Sequence, residues 1–321
     1  MKDLRKAAVI GSGMVGSAIS FSLMQDGLFE ELVLLDIDDE RAEGEAMDIS
    51  HGIPYVKPSR ISFGTYRNVR DADVVIITAG ANQAVGESRN QLVAKNASIV
   101  RNIVQSVIVR NYNAIIIIVS NPVDVMTYVA AKTVEEFCAG RGMIYDSGRI
   151  IGSGTVLDTA RLKHILSEKI GVSAECISAY VIGEHGDSEV IAWKSANAAG
   201  VPMCTLLNSD NNCRELEKSI LNEVRNSAYE IIKRKSVTNY GIAMAVKRIC
   251  EAIVRNENAV LPISTMLNGE YGLYNVALSI PVIVNSDGAG AMVKLPLSEE
   301  EFYELRTSAN VIKDIIEANH L

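Results

Sequence analysis

His185 is the histidine whose surroundings best suit acid–base chemistry in this chain. It lies in the segment GEHGD, residues 183–187, directly after an apolar run, and the nearby glycines allow sharp turns and the close approach of a ligand. Histidine is the usual proton donor and acceptor near neutral pH. The remaining histidines, His51, His164 and His320, lie in polar or helical surroundings, and we expect no chemistry from them.

Asp158 and Arg161 lie three residues apart in a segment with helical spacing, so both side chains can point into one site. A carboxylate beside the far nitrogen of an imidazole fixes its tautomer and stabilises the imidazolium. A guanidinium can hold a substrate carboxylate through two parallel hydrogen bonds. The same spacing also suits an ordinary ion pair on a helix surface, and the spacing alone leaves both interpretations open.

A second arginine, Arg89, ends a segment that begins at Gly80 and contains glycine again at Gly86. Such a segment can act as a mobile lid whose closure brings a cation to a reacting oxygen and expels water. An ordinary solvated loop is the alternative.

Alternating strands and helices in the first half would position these side chains. Four apolar runs are rich in β-branched residues and do not alternate with polar ones, which is typical of strands buried on both faces of a parallel sheet. The runs are Ala7–Ile10, Leu32–Leu35, Val74–Ile77 and Ile115–Val119. Apolar residues three and four apart between 92 and 107 indicate a helix between the last two. The pattern predicts an α/β fold with an N-terminal, doubly wound parallel sheet.

The second half groups its strands and helices differently, which predicts a C-terminal α+β domain. Helices are predicted over Thr155–Ile170, Cys213–Lys235, Ala243–Arg255 and Ser298–Ala318. Strands are predicted over Cys176–Ile182, Val260–Met266, Asn275–Pro281 and Ala291–Leu295. A chain of 321 residues suits two domains, and we place the boundary in the glycine-rich stretch 140–152, giving domains 1–145 and 146–321.

A dinucleotide site is predicted where the first strand meets its helix. Gly11, Gly13 and Gly16 form a GxGxxG pattern directly after the strand, where glycines allow a tight turn and close backbone approach to a pyrophosphate. The helix N-terminus offers free N–H groups to the phosphates. Asp36 ends the second strand, where a carboxylate accepts hydrogen bonds from ribose hydroxyls and repels a 2′-phosphate, which favours NAD over NADP. A plain turn with a strand-end carboxylate is the alternative.

Composition limits the kinds of partner and the cellular compartment that we expect for this chain. A net charge of −8 argues against a nucleic-acid partner. Apolar runs are too short to span a bilayer, and no apolar signal region precedes the first strand. The five cysteines form no CxxC pair, which suits a reducing compartment, so we expect a cytoplasmic protein. They are Cys138, Cys176, Cys204, Cys213 and Cys250. We expect no metal site.

Five motifs, in this order along the chain, together resemble the L-lactate dehydrogenase family. They are GSGMVG at 11–16, the segment Gln83–Arg89, SNPVD at 120–124, GSGTVLDTAR at 152–161 and GEHGD at 183–187. The resemblance covers most of the chain. It implies a Rossmann-type N-terminal domain and reversible hydride transfer between NAD and a small 2-hydroxy acid.

The resemblance also implies a role for each matching residue. His185 is the acid–base residue, Asp158 its partner, and Arg89 polarises the keto oxygen of the substrate. Substrate-binding residues are Gln83, Arg89, Asn121, Arg161 and Thr238. Cofactor-binding residues are Gly11, Gly13, Met14, Val15, Gly16, Asp36, Arg41, Tyr66, Ala79, Gly80, Ala81, Val119, Asn121 and Ser153. The Asn121–Pro122 bond is expected to be cis.

Gln83 bears on the substrate. In the related malate dehydrogenases this position is an arginine, which pairs with a second substrate carboxylate. A neutral glutamine would leave that carboxylate partly uncompensated, so pyruvate and L-lactate fit better. Malate and L-2-hydroxyisocaproate remain alternative substrates, and a catalytically silent NAD-binding protein is the alternative from another class.

Further implications concern assembly and regulation. The family is typically tetrameric, so we expect a homo-oligomer. Some bacterial members respond to fructose 1,6-bisphosphate through an arginine and a histidine, whereas the matching positions here are Lys163 and Ser178. We therefore expect weak or absent activation. The segment 132–149 is longer than is usual in the family, and we assign it no function.

Overall fold

A computed structural model describes residues 6–81, 88–207 and 213–321, with the backbone alone for Arg89 and Cys213. The strands are β1 Lys6–Ile10, β2 Glu31–Leu35, β3 Arg60–Phe63, β4 Val74–Ile77, β5 Ile115–Ile118, β6 Ile150–Gly152, β7 Ile177–Ser178, β8 Val181–Ile182, β9 Val190–Ile191, β10 Asn197–Ala198, β11 Val201–Pro202, β12 Ala259–Asn268, β13 Tyr274–Asn285 and β14 Gly288–Met292. The helices are α1 Met14–Asp26, α2 Asp39–Ser50, α3 Arg89–Ile108, α4 Val123–Ala139, α5 Val156–Ile170, α6 Met203–Leu206, α7 Cys213–Lys235, α8 Tyr240–Val254 and α9 Glu299–Ala318.

One sheet of nine strands organises the described chain, in the order β14-β13-β12-β6-β5-β4-β1-β2-β3. The strands from β6 to β3 pair in parallel, which confirms the doubly wound sheet predicted for the first half. The predicted strands at β1, β2, β4 and β5 are buried along nearly their whole length. Burial on both faces is why their sequences run apolar without alternation.

Two parallel strands, β3 and β6, were not predicted from the sequence. The edge strand β3 has the sequence RISF and is only partly buried, so it carries no apolar run. The strand β6 has three residues and ends at Gly152, within the stretch we had assigned to a domain boundary. Both strands are held by pairing with a longer neighbour.

The two halves share the sheet, because β12 pairs antiparallel with β6 through Ser264 and Gly152. The main hydrophobic core likewise extends from β1 to α9. A second, smaller core lies among α5, α6, α7 and the short strands β7 to β10. The division into domains 1–145 and 146–321 stays a prediction.

The C-terminal half differs from the prediction in its strands. The single strand predicted over Cys176–Ile182 is wrong, because β7 and β8 belong to different small sheets. The last strand lies at Gly288–Met292 rather than at Ala291–Leu295. The four predicted helices are present as α5, α7, α8 and α9.

Helix α9 begins as its sequence predicts. The Ser298 hydroxyl accepts from Glu301 N at 3.2 Å, and the Glu301 carboxylate accepts from Ser298 N at 2.7 Å. This reciprocal pair satisfies N–H groups that the first turn of a helix leaves free. Within the described ranges, no helix is both long and apolar enough to cross a membrane.

Candidate active site

The glycine turn after β1 has the geometry that a dinucleotide requires. Gly11 has a φ of +105°, and a Cβ there would lie 2.7 Å from Ala79 N. A Cβ on Gly16 would collide with the Gly11 carbonyl, so the helix packs tightly on the strand end. Gly13 instead faces open space, with no described atom within 4 Å of an added Cβ. The turn therefore leaves room beside the N-terminus of α1 for a pyrophosphate.

A cleft of about 880 Å³ opens at this turn, at the carboxyl ends of the parallel strands. Its walls include eleven of the predicted cofactor residues, namely Gly11, Gly13, Met14, Val15, Gly16, Asp36, Arg41, Tyr66, Ala79, Gly80 and Ala81. They also include residues that the sequence analysis did not single out, among them Ile37, Thr78, Ile99, Asn102 and Val237. These residues belong to no motif, and only the fold brings them to the cleft.

The Asp36 carboxylate is fixed at the rim of the cleft. Its Oδ2 accepts from Ser12 N at 2.6 Å and its Oδ1 accepts from Asp38 N at 3.1 Å. Two backbone donors hold the negative charge in one orientation, where ribose hydroxyls can donate to it. The open glycine turn, the volume of the cleft and this carboxylate fit a bound NAD.

The remaining predicted cofactor residues follow β5 and β6. Val119 and Ser153 are buried, and neither they nor Asn121 line the described part of the large cleft. The Asn121–Pro122 bond is cis, as predicted. The buried Asn96 amide donates to Asn121 O at 2.9 Å and accepts from Ala81 N at 2.8 Å, which links the ends of β4 and β5.

His185, Asp158 and Arg161 are brought together by the fold. His185 Nδ1 lies 2.5 Å from Asp158 Oδ2, and Arg161 Nη1 donates to Asp158 Oδ1 at 2.7 Å. The Asp158 side chain is 3% exposed, whereas that of His185 is 27% exposed. The surface ion-pair alternative is therefore wrong for Asp158 and Arg161. The second imidazole nitrogen, Nε2, is left for proton exchange with a substrate.

The charges in this site favour a protonated imidazole. Burial lowers the pKa of His185, but the carboxylates of Asp158, Asp124 and Glu189 raise it, and the resulting pKa is about 9. Burial raises the pKa of Asp158, yet His185 and Arg161 outweigh it and hold that pKa below its usual range. Asp158 thus stays ionised and stabilises the imidazolium.

Glu189 is a buried carboxyl that the sequence analysis missed. Burial, with a smaller contribution from the charge of Asp158, raises the pKa of Glu189 to about 8. Its Oε1 has no hydrogen-bond partner in the described part of the chain. Arg225 lies alongside and donates from Nη2 to Glu189 O at 2.6 Å. A glutamate shortly after GEHGD carries no sequence signal, because only tertiary burial makes it unusual.

Three predicted substrate residues have a limited structural description. Gln83 lies outside the described residues. Arg89 is the first residue of α3, directly after the capping residue Ser88, and only its backbone is described. Thr238 is half-buried just before α8, next to Val237 in the cleft wall.

The parallel sheet with its glycine turn, together with the paired histidine and aspartate, defines an NAD-dependent oxidoreductase. The chain belongs to the lactate/malate dehydrogenase family. The family's NAD-binding domain matches residues 5–137, and its alpha/beta C-terminal domain matches residues 155–320.

Relatives match this chain over nearly its whole length. The chain is 45% identical to L-lactate dehydrogenase of Acetivibrio thermocellus over 98% of this chain and 97% of that protein. It is 42% identical to L-lactate dehydrogenase 1 of Clostridium acetobutylicum over 99% of each. It also superimposes with a TM-score of 0.92 on the crystal structure of a minor L-lactate dehydrogenase from Enterococcus mundtii, at 37% identity and 99% coverage of each chain.

Proposed function

We propose that this protein is an NAD-dependent L-lactate dehydrogenase that interconverts pyruvate and L-lactate. The observation that carries the proposal is the His185–Asp158 contact of 2.5 Å, with Arg161 on the second carboxylate oxygen. Relatives called L-lactate dehydrogenase, at 42–45% identity, support the choice of substrate. Gln83 also supports a monocarboxylate substrate, because the related malate dehydrogenases have an arginine at this position.

In the direction of reduction, His185 donates its Nε2 proton to the C2 oxygen of pyruvate and becomes neutral. The cleft at the glycine turn would hold NADH, whose nicotinamide would supply the hydride that C2 receives. Arg161 uses one N–H group on Asp158, and its other donors are available to the substrate carboxylate. Arg89 polarises the C2 oxygen, Asn121 hydrogen-bonds beside it, and Thr238 lines the pocket. In the direction of oxidation, neutral His185 takes the hydroxyl proton of lactate.

A substrate panel tests this proposal. Initial rates with NADH are compared for pyruvate, oxaloacetate and 2-oxoisocaproate, and pyruvate is expected to have the highest kcat/KM. NADPH is expected to be the poorer cofactor, because Asp36 would repel its 2′-phosphate. A clear preference for oxaloacetate or the branched acid would overturn the assignment to lactate. Turnover by the parent that is lost in His185→Asn, while NADH binding is kept, would exclude the catalytically silent alternative.

We also propose a cytoplasmic homo-oligomer, a tetramer by analogy with the family, that serves the fermentation of pyruvate after glycolysis. Its partners are the small acid and further copies of itself, with neither nucleic acid nor membrane. Support for a reducing compartment comes from Cys138, Cys176 and Cys250, which are free thiols within the part of the chain that the structure describes. Support for assembly comes from large apolar side chains exposed on adjacent helices, namely Phe21, Met47, Tyr240 and Met244.

Fructose 1,6-bisphosphate is expected to activate weakly or not at all. Lys163 Nζ lies 5.9 Å from the centroid of the Tyr180 ring, and burial lowers the Lys163 pKa. Ser178 is exposed and adds no charge. Titrating the bisphosphate against initial rates at subsaturating pyruvate checks this, and a severalfold activation would contradict it.

A further inference from the structure

Asp124 is a buried carboxyl that joins the catalytic loop to the dinucleotide half of the chain. It is the second residue of α4, in the SNPVD motif that follows β5, and it is 1% exposed. The positive end of a helix dipole favours a negative charge at this position. Even so, burial raises its pKa to about 6, although hydrogen bonds from Ser264 and the His185 backbone lower it. At neutral pH it is therefore predominantly ionised.

Each carboxylate oxygen of Asp124 binds a different part of the C-terminal half. Oδ2 accepts from His185 N at 2.7 Å, so the backbone of the acid–base residue is tied to α4. Oδ1 accepts from Ser264 Oγ at 2.6 Å and is 3.4 Å from Ser279 Oγ. These serines lie on β12 and β13. One side chain thus connects α4, the two long strands and the GEHGD loop.

The GSG segment makes room for this arrangement. A Cβ on Gly152 would lie 2.8 Å from Ser264 Cβ, and a Cβ on Gly154 would lie 2.6 Å from Ser279 Oγ. Gly154 also has a φ of +52°. The glycines allow the segment to pass close to the two serines that hold the Asp124 carboxylate.

We propose that Asp124 is a positioning residue for the reaction. Its carboxylate fixes the His185 backbone relative to the carboxyl end of β5, and so keeps the imidazole where cofactor and substrate meet. This inference rests on the proposed dehydrogenase function. A small displacement of an acid–base group lowers the rate of the chemical reaction without weakening cofactor binding, because the dinucleotide cleft does not include Asp124.

The negative charge of Asp124 also raises the pKa of His185. Among the described side chains, the charged and titratable groups around His185 are Asp158 and Arg161 from α5, Asp124 from α4, and Glu189 ahead of β9. Glu184, which precedes His185, is the neighbouring charge that acts on Asp124 itself. Removing the charge of Asp124 while keeping its shape lowers the proton affinity of His185, whereas a purely structural role leaves it unchanged.

Two variants separate these contributions. Asp124→Asn keeps an acceptor for His185 N and loses the charge, whereas Asp124→Ala loses both. We expect Asp124→Ala to lower kcat for pyruvate about tenfold or more, with KM for NADH within about twofold of the parent. Asp124→Asn should recover part of that kcat and should shift the alkaline limb of its pH profile to lower pH. The control is Asp314→Asn, an exposed carboxylate on α9, which should change neither quantity.

A second readout does not depend on turnover. NMR titration of the imidazole of His185 in the unliganded protein, assigned against His185→Gln, should give a lower pKa in Asp124→Asn than in the parent, by about half a unit or more. A kcat per folded Asp124→Ala molecule within twofold of the parent would overturn the positioning role, and an unchanged His185 pKa in Asp124→Asn would overturn the charge contribution. A parent enzyme inactive on pyruvate would instead refute the proposed substrate, and the NMR comparison would still decide whether the Asp124 charge acts on His185.

Discussion

The proton affinity of His185 results from a balance between burial and neighbouring carboxylates. Burial alone would favour the neutral ring, but Asp158 at 2.5 Å reverses that preference. His185, Asp158 and Arg161 were predictable because their types and motifs indicate their chemistry. Asp124 also belongs to a motif, but its effect on His185 was not predictable, and neither was that of Glu189, because both depend on distance and burial, which the sequence does not specify.

Asp158→Asn should destabilise the protein most at the pH values at which His185 is protonated in the parent. The pKa of His185 rises from 6.5 to about 9 on folding, so its stabilisation is fully present below pH 6.5 and is lost as pH rises through 9. We therefore expect a larger decrease in the free energy of unfolding at pH 6 than at pH 10, measured by urea denaturation. Pyruvate reduction should also lose activity at lower pH than in the parent.

The control is Glu168→Gln, which removes the carboxylate 3.7 Å from the exposed His164. Exposed ion pairs contribute little to stability, so this variant should match the parent at both pH values. Equal losses at pH 6 and pH 10 in Asp158→Asn would contradict the electrostatic account.

Glu189→Gln is expected to stabilise the protein at alkaline pH. Folding raises the pKa of Glu189 from 4.5 to about 8, so the carboxyl takes up a proton on folding and destabilises increasingly as pH rises from 4.5 to 8. A neutral glutamine avoids this cost, which is on the order of a few kcal/mol at pH 8. Thermal melts should show a higher Tm than the parent at pH 8 and little difference at pH 5. Exposed Glu43→Gln is the matched control, and a gain no larger than that of the control would argue against the prediction.

At the scale of elements, burial decides what the sequence could predict. The runs at β1, β2, β4 and β5 are apolar because both of their faces are covered. The edge strand β3 and the three-residue strand β6 lack that signal, and pairing with a neighbour specifies them instead. The prediction of one strand over Cys176–Ile182 was wrong for a related reason. An apolar run does not show that the chain leaves one small sheet after β7 and enters another at β8.

The glycine turn between β1 and α1 should not tolerate a side chain at its first position. In Gly11→Ala the added Cβ would lie 2.7 Å from Ala79 N, at a φ of +105°. We expect a loss of about 1–3 kcal/mol in the free energy of unfolding and weaker NADH binding by calorimetry. Gly44→Ala is the control, because Gly44 is exposed within α2 and meets nothing within 4 Å among the described atoms. That change should stabilise slightly, and equal effects of both variants would exclude the steric explanation.

At the scale of the whole molecule, the two halves share one sheet and one main hydrophobic core. The sheet and the main core cross the predicted boundary. Helix α8 also packs on α1, where Lys247 Nζ lies 2.8 Å from Asp26 Oδ2. The His185–Asp158 pair is thereby connected to the glycine turn through one sheet and one core, although His185 and Gly11 lie far apart in sequence.

We predict that a second copy of the chain covers the large apolar side chains that the neighbouring helices α1, α2 and α8 expose. Phe21 is 47% exposed, Met47 57%, Tyr240 72% and Met244 55%. Burying such side chains contributes about 25 cal/mol per Å² of apolar surface, so a charge among them should oppose assembly. Light scattering after gel filtration should give a multiple of the 34.8 kDa chain for the parent and a smaller mass for Met244→Glu.

Tyr303→Glu is the control, because Tyr303 is a similarly exposed side chain on α9, away from this face, and should leave the mass unchanged. A parent that is monomeric at micromolar concentration, or a Met244→Glu variant of unchanged mass, would show that this face is not the interface.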